Sequence, residues 1–308
     1  MPRTRSDRRT ARWHAALGGL LLAAASGAQA LTVFTCEAEW AALVRELAPQ
    51  AQVRSATHAR QDPHHIEARP SLIAALRNAD LAVCTGAGLE AAWLPTLQQR
   101  AGNPRVQDGA PGMVYASAQV KLIDPRPPGT PFEGDVHAEG NPHLHLDPRN
   151  LLPVAQAVTA QLQAADPARR ADYSARLDAF TQAWRGRIGD WERRAASLRG
   201  ARVATQHTTF AYFWRWLGVE PVADLEPKPG LPPTPGHLQR VLEATRANPP
   251  AAVVVSLYQD PRPAQWLGQQ LGRPQSVLQL PSTVTEEAGT DSLAGLFDHL
   301  IDRLRATR

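Results

Sequence analysis

The sequence predicts an α/β protein of two lobes, each a parallel sheet flanked by helices, joined by one long helix. Three observations carry this. Short apolar runs alternate with helical patterns in both halves of the chain, which is the signature of βαβ units. One helical stripe of unusual length lies between the two series. The chain of 308 residues, 43% hydrophobic and 20% charged, is long enough for two cores and too apolar for disorder.

Residues 1–30 read as a secretory signal. Arg3, Arg5, Arg8, Arg9 and Arg12 precede the apolar run Ala15–Ala25, and the small-residue pattern Ala28-Gln29-Ala30 follows. The run is shorter than the about 20 residues a spanning helix needs, so cleavage near Ala30 and a periplasmic, exported protein are expected, without membrane insertion. The whole chain carries 33 Lys+Arg and 29 Asp+Glu. The leader takes five of the cations and one acid (Asp7), leaving 28 charges of each sign. A neutral domain lacks the basic surplus that phosphate binding requires, which excludes a nucleic-acid partner.

In the first lobe, residues 31–165, Leu31–Thr35 reads as a strand, and Trp40, Leu43, Val44 and Leu47 follow at helical spacing. Leu81–Thr85 is a second apolar run, bounded by Asp80 and Gly86. Cys36 and Cys84 follow or end these two strands. If the strands are neighbours, the two are within disulfide reach; the sequence leaves a disulfide and two buried thiols equally open. Residues 124–140, rich in Pro, Gly and acids, predict a mobile surface loop.

The joining helix is predicted over 166–199. Asp166-Pro167 supplies an N-cap and a proline at the first helical position, and Gly200 a stop. Tyr173, Leu177, Phe180, Trp184, Ile188, Trp191, Ala195 and Leu198 form one apolar stripe. Unbroken, it would run about 48 Å at ~1.5 Å per residue. Gly186 and Gly189 are the places where it would break. The second lobe, 200–308, has strand-like runs at Arg202–Thr205, Ala252–Leu257 and Ser276–Leu280, and a Pro-rich connection at 226–236. No internal sequence repeat is visible.

Histidine is the informative residue type, with nine beyond the leader. His64 lies in Asp62-Pro63-His64-His65, His143 in Asn141-Pro142-His143, and His207 directly after the strand Arg202–Thr205. Asp260 follows the strand Ala252–Leu257. Loops beyond the carboxyl ends of parallel strands converge on a crevice, and three imidazoles with one carboxylate there make a four-coordinate set that suits zinc. Gly86-Ala87-Gly88 lacks the third glycine and the Gly-Lys-Ser/Thr ending of a nucleotide loop and reads as a tight turn.

These segments resemble the metal-binding solute receptors of zinc and manganese ABC transporters. The matching pieces are Asp62-Pro63-His64 with Glu67 and Pro70, Gly86–Glu90 with Trp93, and Asn141-Pro142-His143 with Asp147-Pro148. His207 to Tyr212-Phe213, the stretch Glu226–Leu238 and Leu280-Pro281 extend the match over the mature chain in order. The resemblance implies two lobes on a rigid helix, with Zn2+ held between them by His64, His143 and His207 and with Asp260 as fourth ligand. It implies a monomer that delivers the ion to an ABC permease, with a metallochaperone as a conceivable loading partner, and no catalysis. A secreted zinc hydrolase or a manganese receptor of the same family are the alternatives. No His-Glu-x-x-His helix supports the former, and His207, in place of a carboxylate, argues against the latter. Of the family's His-rich loop only His137 is present. His65 and His145 are expected to be exposed or to lie behind the ligands, and alanine at either to leave zinc affinity nearly unchanged.

Overall fold

The computed structural model describes residues 30–127 and 135–307. The leader reading therefore lies outside the described residues, as does part of the 124–140 loop. Among the described residues no helix is long and apolar enough to cross a membrane.

The first lobe runs β1 (Thr32–Thr35), α1 (Ala38–Leu47), β2 (Gln52–Ser55), α2 (Pro70–Arg77), β3 (Leu81–Cys84), α3 (Leu94–Ala101), β4 (Met113–Tyr115) and α4 (Leu151–Ala165). The second runs β5 (Arg202–Thr205), α6 (Ala211–Leu217), β6 (Glu220–Asp224), α7 (Pro235–Arg246), β7 (Ala252–Ser256), α8 (Arg262–Gln270), β8 (Val277–Leu280) and α9 (Leu293–Arg305). Between them lies α5 (Arg170–Arg194). The two sheets have the orders β2-β1-β3-β4 and β6-β5-β7-β8, every neighbouring pair parallel. The lobes thus share one topology that no residue-by-residue repeat betrays. What recurs is the alternation of apolar runs and helical stripes, which many side-chain choices satisfy.

The runs read from sequence are β1, β3, β5, β7 and β8. β3 and β7 are buried along their whole length, because helices cover both faces of a central parallel strand. The three strands without an apolar run, β2, β4 and β6, all lie at sheet edges. β2 alternates exposed and half-buried residues, and β6 holds Pro221, which an edge tolerates because one side of the strand needs no ladder donor. β1 and β3 are neighbours, and Cys36 and Cys84 form a disulfide with Cα atoms 4.7 Å apart.

Helix α5 is continuous through Gly186 and Gly189, where an added Cβ would meet nothing closer than the Arg193 guanidinium at 3.5 Å. It is shorter than predicted. Pro167–Arg169 and Ala196–Leu198 are separate 3-10 turns, so the α-helical part spans roughly 37 Å at ~1.5 Å per residue. Its stripe buries Tyr173, Trp184 and Trp191. Trp184 Nε1 donates to Pro148 O of the first lobe at 2.7 Å, and Trp191 Nε1 to Asp298 of α9 at 2.9 Å. One hydrophobic core consequently runs from Val33 and Trp40, through Trp184, to Phe213 and Phe297. Opening the lobes like a hinge would split this core and expose aromatic surface at about 25 cal/mol per Å2. We therefore expect small-angle scattering to show no large contraction when metal is added; a large one would refute a rigid backbone.

Candidate metal centre

The loops beyond the carboxyl ends of the strands bring three histidines together. His64 comes from the loop after β2, His143 from the segment before α4, and His207 two residues after β5. Each offers a ring nitrogen within 4.8 Å of the other two, and all three are buried. The ring centroids form a near-equilateral triangle with sides of 5.6, 5.5 and 5.6 Å, the rings edge to face.

Each histidine is held from behind. His64 Nδ1 lies 2.7 Å from Asp62 Oδ1, which also accepts the His64 backbone N–H at 3.0 Å. Trp93 Nε1 donates to Pro63 O at 2.9 Å and pins the same turn. His207 Nδ1 lies 3.0 Å from Glu226 Oε2, and its backbone N–H donates to Asp224 Oδ1 at 3.0 Å. His207 has a φ of 68°, a left-handed conformation in which His is more frequent than most residues. Asn141 Oδ1 accepts the His143 N–H at 2.9 Å, while Asn141 Nδ2 donates to Thr208 O at 2.9 Å, tying the second loop to the third. A carboxylate behind a ring nitrogen selects the tautomer that presents the other nitrogen to a metal. The Nε2 atoms of His143 and His207 are buried without a hydrogen-bond partner. A buried ring nitrogen without a partner is costly, and a metal ion accepting its lone pair would remove that cost.

The fourth position is not filled as predicted. Asp260 stays outside the cluster, exposed, where its carboxylate accepts the Arg262 backbone N–H at 3.0 Å and Arg262 Nε at 2.9 and 2.7 Å. Asp260-Pro261 leads straight into α8, and Arg262, its first residue, neutralises the charge that a cation would need. His137 approaches instead. Its Nε2 is 3.1 Å from His64 Nε2, and the two rings stack 5.2 Å apart. The signal was available: His137 is the one histidine in the Pro/Gly-rich loop, and the expected mobility hid it. The described end of that loop is anchored, with Val136 buried and the Asp135 N–H donating to Pro229 O at 3.0 Å.

The histidines next to this cluster also separate. His65 is exposed, 3.6 Å from Asp135. His145 is not exposed but buried, its Nε2 donating to Ser282 O at 2.7 Å and its Nδ1 3.1 Å from Glu39 Oε1. The Gly86-Ala87-Gly88 turn has three consecutive positive φ values, and Gly86 N–H points at Glu90, so the chain's own carboxylate takes the place a phosphate would need.

Electrostatics favour neutral imidazoles at the centre. Burial, and then the charges of His207 and His64, hold His143 well below the ordinary value. Burial, with His64 and His207, pushes His137 down to about 4. His207 is the exception. Burial opposes its charge, but the Glu226 carboxylate outweighs burial and raises it. Asp62 is lowered because His64 outweighs its own burial.

A protein-family profile described as "ZnuA: Zinc-uptake complex component A periplasmic" matches residues 33–307. The chain belongs to the ZnuA family. It is thus a member of a family of periplasmic metal-binding receptors, with the two-lobed fold the sequence predicted. No curated protein sequence matches it significantly. Solved structures agree on the fold. A ZnuA crystal structure superposes with a TM-score of 0.71 at 20% identity, covering 91% of this chain and 100% of that one. A zinc-bound ZnuA lacking residues 138–173 gives 0.72 at 18% identity, over 90% and 97%. A manganese-bound mutant of the periplasmic metal-binding protein of candidatus liberibacter asiaticus gives 0.72 at 16% identity, over 90% and 100%.

Proposed function

We propose that this ZnuA-family chain is a zinc receptor that captures Zn2+ between its lobes and hands it to an ABC permease. The observation that supports this most is the convergence of His64, His143 and His207, with carboxylates behind two of them and none among them, and with His137 Nε2 3.1 Å from His64 Nε2. Imidazole suits zinc, whereas manganese is harder and prefers oxygen donors. A hydrolase would need a general base beside an open coordination position; the nearby carboxylates, Asp62 and Glu226, are instead committed to orienting histidines. In this reading His64, His143 and His207 are the fixed ligands and His137 is the fourth donor, carried on a loop. A loop ligand can leave without unfolding the lobes, which gives the receptor a route for release when docking to the permease disturbs that loop.

Calorimetry on the metal-free chain is expected to show tight zinc binding and weak manganese binding; tight manganese binding overturns the reading. The pH dependence has a definite sign. A metal binds only the neutral ring, so protons compete. His143 and His137 stay neutral far below pH 7, whereas His207 is the first of the three to protonate. Zinc affinity is therefore expected to begin falling while pH is still above the ordinary imidazole value of ~6.5. An affinity that stays flat from about pH 8 to 5 would show that these rings are not the ligands.

A further inference from the structure

The edge strand β6 ends in a carboxylate that reaches the histidine centre through the backbone. Around β5 the sheet ladder runs as far as Leu225 N–H on Thr205 O at 2.8 Å and Gln206 N–H on Val254 O at 3.0 Å. His207 follows, buried and left-handed, and its N–H bonds to a side chain instead of a strand. A buried N–H left without an acceptor is costly. Asp224 Oδ1 accepts this one at 3.0 Å and the Glu226 N–H at 2.9 Å. A single oxygen thus ties the backbone of a central histidine to the backbone of the residue behind its ring. Glu226 closes the loop, because its Oε2 lies 3.0 Å from His207 Nδ1 and accepts Gly230 N–H at 2.8 Å. Gly230 has a φ of 78°, and an added Cβ would lie 2.5 Å from Asp135 Oδ2, so the turn that delivers its N–H requires glycine. Asp224 is itself anchored. It pairs with Thr205 in the sheet, and its carbonyl accepts His237 Nε2–H at 2.8 Å from the first turn of α7.

We infer that Asp224 is a positioning residue for metal retention, which keeps His207 Nε2 aimed at the other histidines by holding His207 and Glu226 on one oxygen. The inference rests on the zinc-receptor reading. The left-handed well is narrow for a residue with a Cβ, so the His207 ring has its direction only while that peptide is held. Zinc–nitrogen bonds of about 2.0–2.1 Å leave little room for a ring that tilts. If the two N–H groups part, the His207 backbone turns and Glu226 loses its register on Nδ1 in the same movement. Both donors to Asp224 Oδ1 are neutral amides, so what Asp224 supplies is the place of an oxygen and not its charge.

The test measures zinc release from the purified chain to a chelator in stopped flow, the visible spectrum of the Co2+-loaded chain, and the melting temperature. Asp224→Asn keeps an oxygen in the same place without the charge, and is expected to match wild type in release rate and spectrum. Asp224→Glu keeps the charge but carries the oxygen one methylene further. It is expected to release zinc about tenfold faster, at the lower end of the range for groups that orient ligands, with an altered Co2+ spectrum. Asp224→Ala, which removes the oxygen, is expected to behave as Asp224→Glu does. Fast release from Asp224→Asn overturns the inference by showing that the charge acts. Wild-type release from Asp224→Glu and Asp224→Ala overturns it as well, as does a lower melting temperature in these two with an unchanged Co2+ spectrum, which is the mark of a purely structural role. Failure of the receptor reading is seen separately, as the absence of tight zinc binding in the wild type.

Discussion

Replacing His207 by alanine is expected to weaken zinc binding at least about 100-fold, or about 2.7 kcal/mol. Two effects act together. The inner set loses a donor, and Glu226, buried and facing the vacated ring, loses the group it orients. Glu226→Gln keeps the ring but loses the anion behind it, and is expected to weaken binding by about 10- to 100-fold, the range typical of groups that orient ligands. His137→Ala should fall below His207→Ala in effect, because water can take the place of a donor carried on a loop. Asp260→Ala should leave affinity unchanged, since its carboxylate already pairs with Arg262. Calorimetry across the four variants decides between the fourth donors. Loss of affinity in Asp260→Ala with none in His137→Ala would restore the carboxylate.

The second large effect concerns stability. His145 is expected to be nearly silent for zinc but not for folding. Its ring joins Glu39 of the first lobe to Ser282 O of the second, and Glu39 Oε2 also accepts Thr283 Oγ1–H at 2.6 Å. Glu39 is buried. Removing one partner of a buried polar contact costs about 1–3 kcal/mol. At roughly 2–4 °C per kcal/mol for a chain of this size, His145→Ala should melt about 5 °C lower. His145→Gln, which retains a donor for Ser282 O, should recover part of the loss. A midpoint within about 2 °C of wild type would show that the interlobe junction carries little energy.

The contrast between His145 and His65 shows why one sequence pattern has two meanings. Both lie within two residues of a histidine of the cluster, His65 in the polar Asp62–His65 turn and His145 between Leu144 and Leu146. His65 points outward to Asp135, whereas His145 is enclosed because the loop after β8 of the other lobe closes over it. That closure depends on how two lobes separated by more than a hundred residues dock. Asp260 stands apart from the three histidines for a related local reason: it follows β7, but Arg262, two residues on, holds its carboxylate.

By itself the sequence determined the class of the fold, the central strands, the continuous joining helix and the three histidines that meet. These are properties of local pattern. A strand buried on both faces must be an apolar run, a helix that packs along one side must repeat its apolar residues every three or four positions, and parallel strands must send their following loops to one edge. The tertiary structure alone decided the edge strands β2, β4 and β6, whose half-exposed residues need only one neighbour to pair with. It also decided the disulfide, which required β1 beside β3, and the approach of His137 to His64 across 73 positions of chain. A histidine brought in by a loop has no periodicity to announce it, because its place is set by what the loop end packs against rather than by its own neighbours in sequence.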